Sequence, residues 1–145
     1  MKNAIAFLTL FISYTTIYSQ TIDTIARNIW AKNMLESSKV NKGVEIPPKY
    51  NGGYGALYEY LITNIKYPKK AEKRGKKGEV DIYFVVDRMD GHLRDIKVQS
   101  STDKIFEEAA MEVVQKMPNW IPAQQKGRNV NCSHTLPIKF NIPSS

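Results

Sequence analysis

Residues 79–100 read EVDIYFVVDRMDGHLRDIKVQS, two alternating stretches on either side of an Asp-Gly turn. The first stretch places four apolar residues at every second position: Val80, Ile82, Phe84 and Val86. Successive side chains of a strand point to opposite faces, so this stretch predicts a strand with one buried face. Asp90-Gly91 accepts positive φ angles, and residues 93–100 return as a second strand. The segment therefore predicts an antiparallel hairpin.

Helical spacing is found on both sides of this hairpin. Apolar residues recur four positions apart in two sets: Leu57, Leu61 and Ile65 before it, and Ile105, Ala109, Val113 and Met117 after it. That period places each set on one face of a helix. Pro68 and Pro118 end these helices, because proline and the residue before it do not continue the α conformation.

The last part of the chain, residues 130–142, alternates again with a period of two. Its even positions are apolar or half-apolar residues: Val130, Cys132, His134, Leu136, Ile138, Phe140 and Ile142. This pattern predicts a third strand, and Pro137 predicts that at least one side of it is an edge, because proline has no amide hydrogen to donate. The simplest assembly is an α+β fold, a three-stranded antiparallel sheet with two helices packed on one face.

The N-terminus has the pattern of a secretory signal peptide. Lys2 precedes an apolar stretch, residues 4–12, and a polar run that ends at Ser19 and Gln20. This order predicts a signal peptide over residues 1–20 that is cleaved, and a periplasmic product. Apolar residues three or four apart then predict an amphipathic lead-in helix and linker over 21–45, before the main domain over 46–145. The alternative is an uncleaved leader that anchors the protein in the inner membrane.

Cysteine count and charge restrict the function further. Cys132 is the one cysteine, so no internal disulfide forms. The formal net charge is +7, and much of it lies in one basic run: Lys69, Lys70, Lys73, Arg74, Lys76 and Lys77. Such a run suits an anionic surface, for example cell-wall polymer, although a solvated basic loop is the favoured explanation. Nucleic acid is not an expected partner, because no aromatic residues interleave with these cations to stack bases.

No set of residues predicts catalysis, a metal site or a cofactor. His92 lies beside the hairpin turn, while Cys132 and His134 share one face of the last strand, which predicts packing more than zinc binding or a nucleophile with its base. Asp87 and Asp90 flank a turn, where carboxylates usually accept hydrogen bonds from nearby amides. We therefore expect a protein that is not an enzyme and needs no cofactor.

Short motifs follow one another in a distinctive order over residues 46–142. The main ones are Pro48-Lys49-Tyr50-Asn51-Gly52-Gly53, Tyr67-Pro68, Val80-Asp81, Asp90-Gly91, Trp120-Ile121-Pro122-Ala123 and Pro137-Ile138-Lys139-Phe140. Together they resemble the C-terminal domain of the TonB energy-transducer family, of the type common in Bacteroidetes. One departure is Lys76-Lys77, where that family usually has an apolar residue between two glycines.

The resemblance implies a peptide-binding module of TonB-dependent transport across the outer membrane. Domains of this family bind the N-terminal "TonB box" of outer-membrane transporters as an extra strand beside the last strand of the sheet. Carried onto this sequence, the binding edge comprises Val130, Asn131, Ser133 and Thr135. The alternative is an envelope adaptor or structural protein that holds anionic cell-wall polymer through the basic run, and a homodimer is left open.

Overall fold

The structure, a computed structural model, describes residues 39–40 and 43–141. In chain order its elements are β1 (Lys39–Val40), α1 (Gly53–Asn64), α2 (Lys69–Lys73), β2 (Gly78–Val86), β3 (Leu93–Ser101), a 3-10 helix (Lys104–Phe106), α3 (Glu107–Gln115), β4 (Ala123–Gln125), β5 (Arg128–Val130) and β6 (Cys132–Phe140). The predicted signal peptide and most of the predicted lead-in segment lie outside the described residues.

The main sheet is antiparallel, with the strand order β1-β6-β2-β3, and β4 and β5 form a separate two-stranded sheet. The three long strands of the main sheet, β2, β3 and β6, confirm the predicted α+β fold. β2 lies in the middle of the three and pairs with both of the others. β1 lies within the predicted linker and adds a fourth strand of two residues.

The core lies between the sheet and helices α1 and α3. The inward residues of β2 have no exposed surface, as the alternating pattern predicts: Val80, Ile82, Phe84 and Val86. Leu57 and Leu61 of α1 and Val114 of α3 pack against this face, and β6 contributes Leu136 and Ile138. Four residues of the predicted stripes are buried: Leu57, Leu61, Val113 and Met117. Ile65, Ile105 and Ala109 are only partly buried, and α3 is shorter than predicted because Ile105 lies in the 3-10 helix and Met117 lies beyond its end.

The structure corrects the prediction of one strand over 130–142. Val130 belongs to β5, where it pairs with Ala123 of β4, and Asn131 separates β5 from β6. The Asn131 side-chain oxygen accepts a hydrogen bond from the Arg88 amide at 2.7 Å, which holds the break against the β2–β3 turn. The apolar alternation continues through this break, so the sequence period does not reveal it.

The β2–β3 turn is fixed against the segment that follows α3. Gly91 has a φ of 77°, and a Cβ atom there would lie 1.6 Å from the carbonyl oxygen of Trp120. The Trp120 amide donates a hydrogen bond to the Gly91 carbonyl oxygen at 2.8 Å. The buried Trp120 ring in turn meets Phe84 with the ring centroids 5.2 Å apart. The Asp90-Gly91 turn and the Trp120-Ile121-Pro122-Ala123 motif therefore contact each other directly.

Candidate functional site

The two sides of β6 differ in how they are paired. β2 covers one side completely, from Gly78 opposite Phe140 to Val86 opposite Cys132. On the other side, β1 pairs only through Lys39 opposite Thr135 and Val40 opposite His134. In the part of the chain that the structure describes, residues 136–140 of β6 therefore have no strand partner on this outer side.

An apolar groove runs along the same outer side, between α1 and β6. It has a volume of about 60 Å³ and is lined by Tyr58, Leu61, Ile62, Ile65, Ile138 and Lys139. Leu61 faces the core, and Ile62, one position later on the helix, is 53% exposed. The Ile65 amide bonds the Leu61 carbonyl at 2.9 Å as the chain leaves α1 in an extended conformation, which places Ile65 at the end of the groove.

The predicted binding residues separate into two groups. Ser133 and Thr135 lie in β6, and the Thr135 hydroxyl donates a hydrogen bond to the Gln99 side-chain oxygen of β3 at 2.8 Å. Val130 and Asn131 lie outside β6, which corrects the predicted extent of the edge strand. Contact of any of these four residues with a peptide stays a prediction. The groove was missed because its walls come from distant parts of the sequence.

His134 lies beneath the outer edge, at the residue that pairs with Val40. It is 1% exposed, and its ring centroid is 5.4 Å from that of Phe84 and 5.2 Å from that of Trp120. Neither ring nitrogen of His134, nor the Trp120 indole nitrogen, has a hydrogen-bond partner in the described structure. Burial lowers the pKa of His134 to about 4, so the ring is neutral near pH 7 and packs as an aromatic side chain.

The family model for the Gram-negative bacterial TonB protein C-terminal domain matches residues 63–142, more than half of the chain. The chain belongs to the TonB C-terminal family. The match includes all of β6 and excludes β1. The pairing of β1 with β6 is thus a feature of this chain outside the matched segment.

Curated relatives are longer than this chain. Protein TonB of Helicobacter pylori is 31% identical over 114 residues, which cover 74% of this chain and 38% of that protein. The protein TonB of a second H. pylori strain is 32% identical and is covered over 39% of its length. The chain therefore spans less than two fifths of the curated relatives it matches.

Two solved TonB C-terminal domains are also similar. The NMR structure of the H. pylori TonB C-terminal domain has 25% identity and a TM-score of 0.46, covering 62% of this chain and 94% of that one. The Pseudomonas aeruginosa domain has 27% identity and a TM-score of 0.45, covering 55% of this chain and 80% of that one.

The basic run departs from the family pattern, and the structure divides it. Lys76 places its Nζ 2.6 Å from the Asp103 carboxylate and so fastens the loop to the start of the 3-10 helix. The hydrogen bond from Lys76 lowers the pKa of Asp103 below its usual value. The other members lie exposed on and after α2: Lys69, Lys70, Lys73, Arg74 and Lys77. Only this exposed group is available to an anionic partner.

The acidic residues of the hairpin turn have local partners. Asp87 accepts a hydrogen bond from the Met89 amide at 2.7 Å, and Asp90 accepts one from the His92 amide at 2.9 Å. Within the described residues, no group of three or more His, Cys, Asp or Glu could hold a metal ion. The helices of that same region are all too short or too polar to cross a membrane.

Proposed function

We propose that this TonB family protein takes part in TonB-dependent transport, as a periplasmic, non-enzymatic module that binds the TonB box of outer-membrane transporters along β6. The observation that carries the proposal is the outer edge of β6, a strand of nine residues that, in the part of the chain the structure describes, lies beside a partner of two residues. Unpaired amides and carbonyls on such an edge accept an extended peptide through main-chain hydrogen bonds. Membership of the family supports the choice of transporter peptides as the partner.

The opposite flank of the sheet is a poorer acceptor. β3 pairs with β2 in an irregular register, with shifts between Asp81 and Ile82 and between Tyr83 and Val85. Asp95 has a φ of 53°, and its neighbour Arg94 is exposed. Bulges and charged side chains are the features that protect a sheet edge from further pairing. β6 is therefore the edge to which a peptide strand adds.

β1 determines which part of β6 is open. A peptide opposite Thr135 and His134 has to displace β1, whereas residues 136–140 have no strand partner on this side within the described residues. We propose that the peptide is centred on residues 136–140. Ser133 and Thr135 then contact only a peptide that is long enough to displace β1.

An NMR titration of the mature chain with transporter N-terminal peptides tests the proposal. We expect amide shifts to concentrate in Cys132–Phe140. Peptides N-methylated at single positions sharpen the test, because only alternate amides of an added strand point toward β6. Affinity should fall at every second position. Shifts concentrated in β3, or an N-methyl effect that does not alternate, would contradict strand addition to β6.

The alternative function is binding of anionic cell-wall polymer by the exposed part of the basic run. Its supporting observation is that Lys73 and Arg74 are exposed at the end of α2. Reversing both charges, in K73E/R74E, should abolish retention on polymer if this is the function and leave peptide affinity unchanged. A loss of peptide affinity with no change in polymer retention would exclude the alternative.

A further inference from the structure

The apolar groove and the open segment of β6 are one continuous surface. Ile138 and Lys139 line the groove and also lie within residues 136–140, which have no strand partner on the outer side in the described part of the chain. A molecule that binds at this segment therefore meets both backbone hydrogen-bonding groups and an apolar wall formed by Tyr58 and Ile62 of α1. A suitable ligand therefore has to pair with the backbone groups and also fill the apolar groove.

An extended peptide satisfies both requirements. A lipid chain or a helix fills an apolar groove but leaves the backbone groups of residues 136–140 without strand partners. A strand added at about 4.8 Å from β6 pairs with those groups and points every second side chain toward the helix layer. The side chain opposite Ile138 on that face then enters the groove.

We propose that this groove selects an aliphatic side chain at one position of the peptide bound along β6, an inference that rests on the proposed function. Main-chain pairing holds peptides of many sequences, and a pocket for an alternate side chain supplies the specificity. The groove is lined by three isoleucines and a leucine, and it is open to solvent beside Ile62. It accepts a branched aliphatic side chain and offers no partner for a charged one apart from Lys139.

Alanine scanning of the peptide gives the first readout. One aliphatic position should lose about tenfold in affinity when it is changed to alanine, because half-burying such a side chain is worth about that factor. Its two neighbours, which point away from the helices, should lose about twofold or less. A scan without a dominant aliphatic position would overturn the inference.

A double-mutant cycle gives the second readout. I62Q should weaken the aliphatic peptide about fivefold to tenfold and leave its alanine variant unchanged, because the two changes remove the same contact. Ile62 is 53% exposed, so the substitution should leave the fold intact. I46Q is the matched control, since Ile46 is 52% exposed and does not line the groove, and it should change neither affinity.

The outcomes separate this inference from the function on which it rests. If peptide shifts appear in β6 but I62Q weakens both peptides equally, strand addition stands and the specificity groove is wrong. If no peptide produces amide shifts in β6, the proposed function is wrong, and the inference that rests on it is wrong as well. Shifts at Ile62 and Ile65 with phosphocholine micelles, but none with peptide, would assign the groove to lipid and overturn the inference.

Discussion

The two outer strands of the main sheet, β3 and β6, differ in the contacts that surround them. On the β3 side, a tight turn connects the strands, the Gly91 backbone contacts Trp120 directly, and charged residues and register shifts protect the edge. On the β6 side, within the described residues, β1 pairs with two of the nine residues of β6, and an apolar groove lies beside Ile138 and Lys139. Within the described residues, neither β3 nor residues 136–140 of β6 have a strand partner on their outer side. The β3 flank, termed the closed flank, carries a left-handed residue at Asp95 and exposed charges, whereas the β6 flank, termed the open flank, lies beside an apolar groove.

From this difference we expect substitutions on the two sides of β2 to have different effects. Contacts on the closed flank join turn, core and the segment after α3, so changes there should act on stability. The outer edge of β6, unlike its core-facing side chains, makes few contacts within the described residues, so changes along that edge should act on affinity. Substitutions on each flank test this division.

Gly91→Ala should produce the largest loss of stability. An alanine at a φ of 77° is strained, and its Cβ would lie 1.6 Å from the Trp120 carbonyl oxygen, so the backbone has to move. Together these effects should lower the free energy of unfolding by about 3 to 5 kcal/mol. Urea denaturation measures the change.

Gly127→Ala is the matched control for the Gly91 substitution. Gly127 has a similar φ of 71°, but an added Cβ there meets no atom within 4 Å. Strain alone should lower the free energy of unfolding by about 1 kcal/mol. Equal losses for the two variants would show that the Trp120 contact contributes nothing.

The closed flank is also the part that the sequence predicts best. The β2 alternation and the Asp90-Gly91 turn are local signals, and the structure follows both. The predicted first residue of the last strand was wrong. The break between β5 and β6 depends on the hydrogen bond between Asn131 and Arg88, two residues far apart in the chain. β1 and the groove likewise depend on tertiary contacts, so local sequence periodicity does not predict them.

His134 of β6, whose ring packs against Phe84 and Trp120, should make stability depend on pH. Its pKa is about 4 in the folded protein and about 6.5 in an unfolded chain, so the fold favours the neutral ring. Stability is then fully present above pH 6.5 and falls as the pH drops from 6.5 to 4, by up to about 3 kcal/mol. Below pH 4 this contribution is constant.

Urea denaturation between pH 7 and pH 4 measures this effect. The H134F variant keeps an aromatic ring between Phe84 and Trp120 but does not titrate, and it retains the carboxylates whose protonation also affects stability. Its stability should change much less over the same range. Parallel curves for the two proteins would show that His134 is not the cause.

Replacing both residues of β1 by proline, in K39P/V40P, concerns the open flank and should change affinity more than stability. Only alternate residues of an antiparallel pair direct their amides toward the partner, so the double variant removes whichever amide bonds β6, and β1 should leave β6 more readily. A peptide of about nine residues, long enough to cover all of β6, should then bind about twofold to fivefold more tightly. A peptide of about five residues, limited to 136–140, should bind as before. Equal gains for both peptides, measured by calorimetry, would contradict the proposed position of the shorter one.

The smallest expected effect comes from the basic run. Lys76→Ala removes a partly exposed ion pair with Asp103, a kind of contact that contributes little to stability and less at high salt. Asp103→Ala should shift the urea midpoint further, because Asp103 also accepts a hydrogen bond from the Ile105 amide at the start of the 3-10 helix. Lys77→Ala, at an exposed neighbour, should shift it least. If Lys76 and Lys77 gave equal shifts, the ion pair would not hold the loop, and all six basic residues would then be available to an anionic partner.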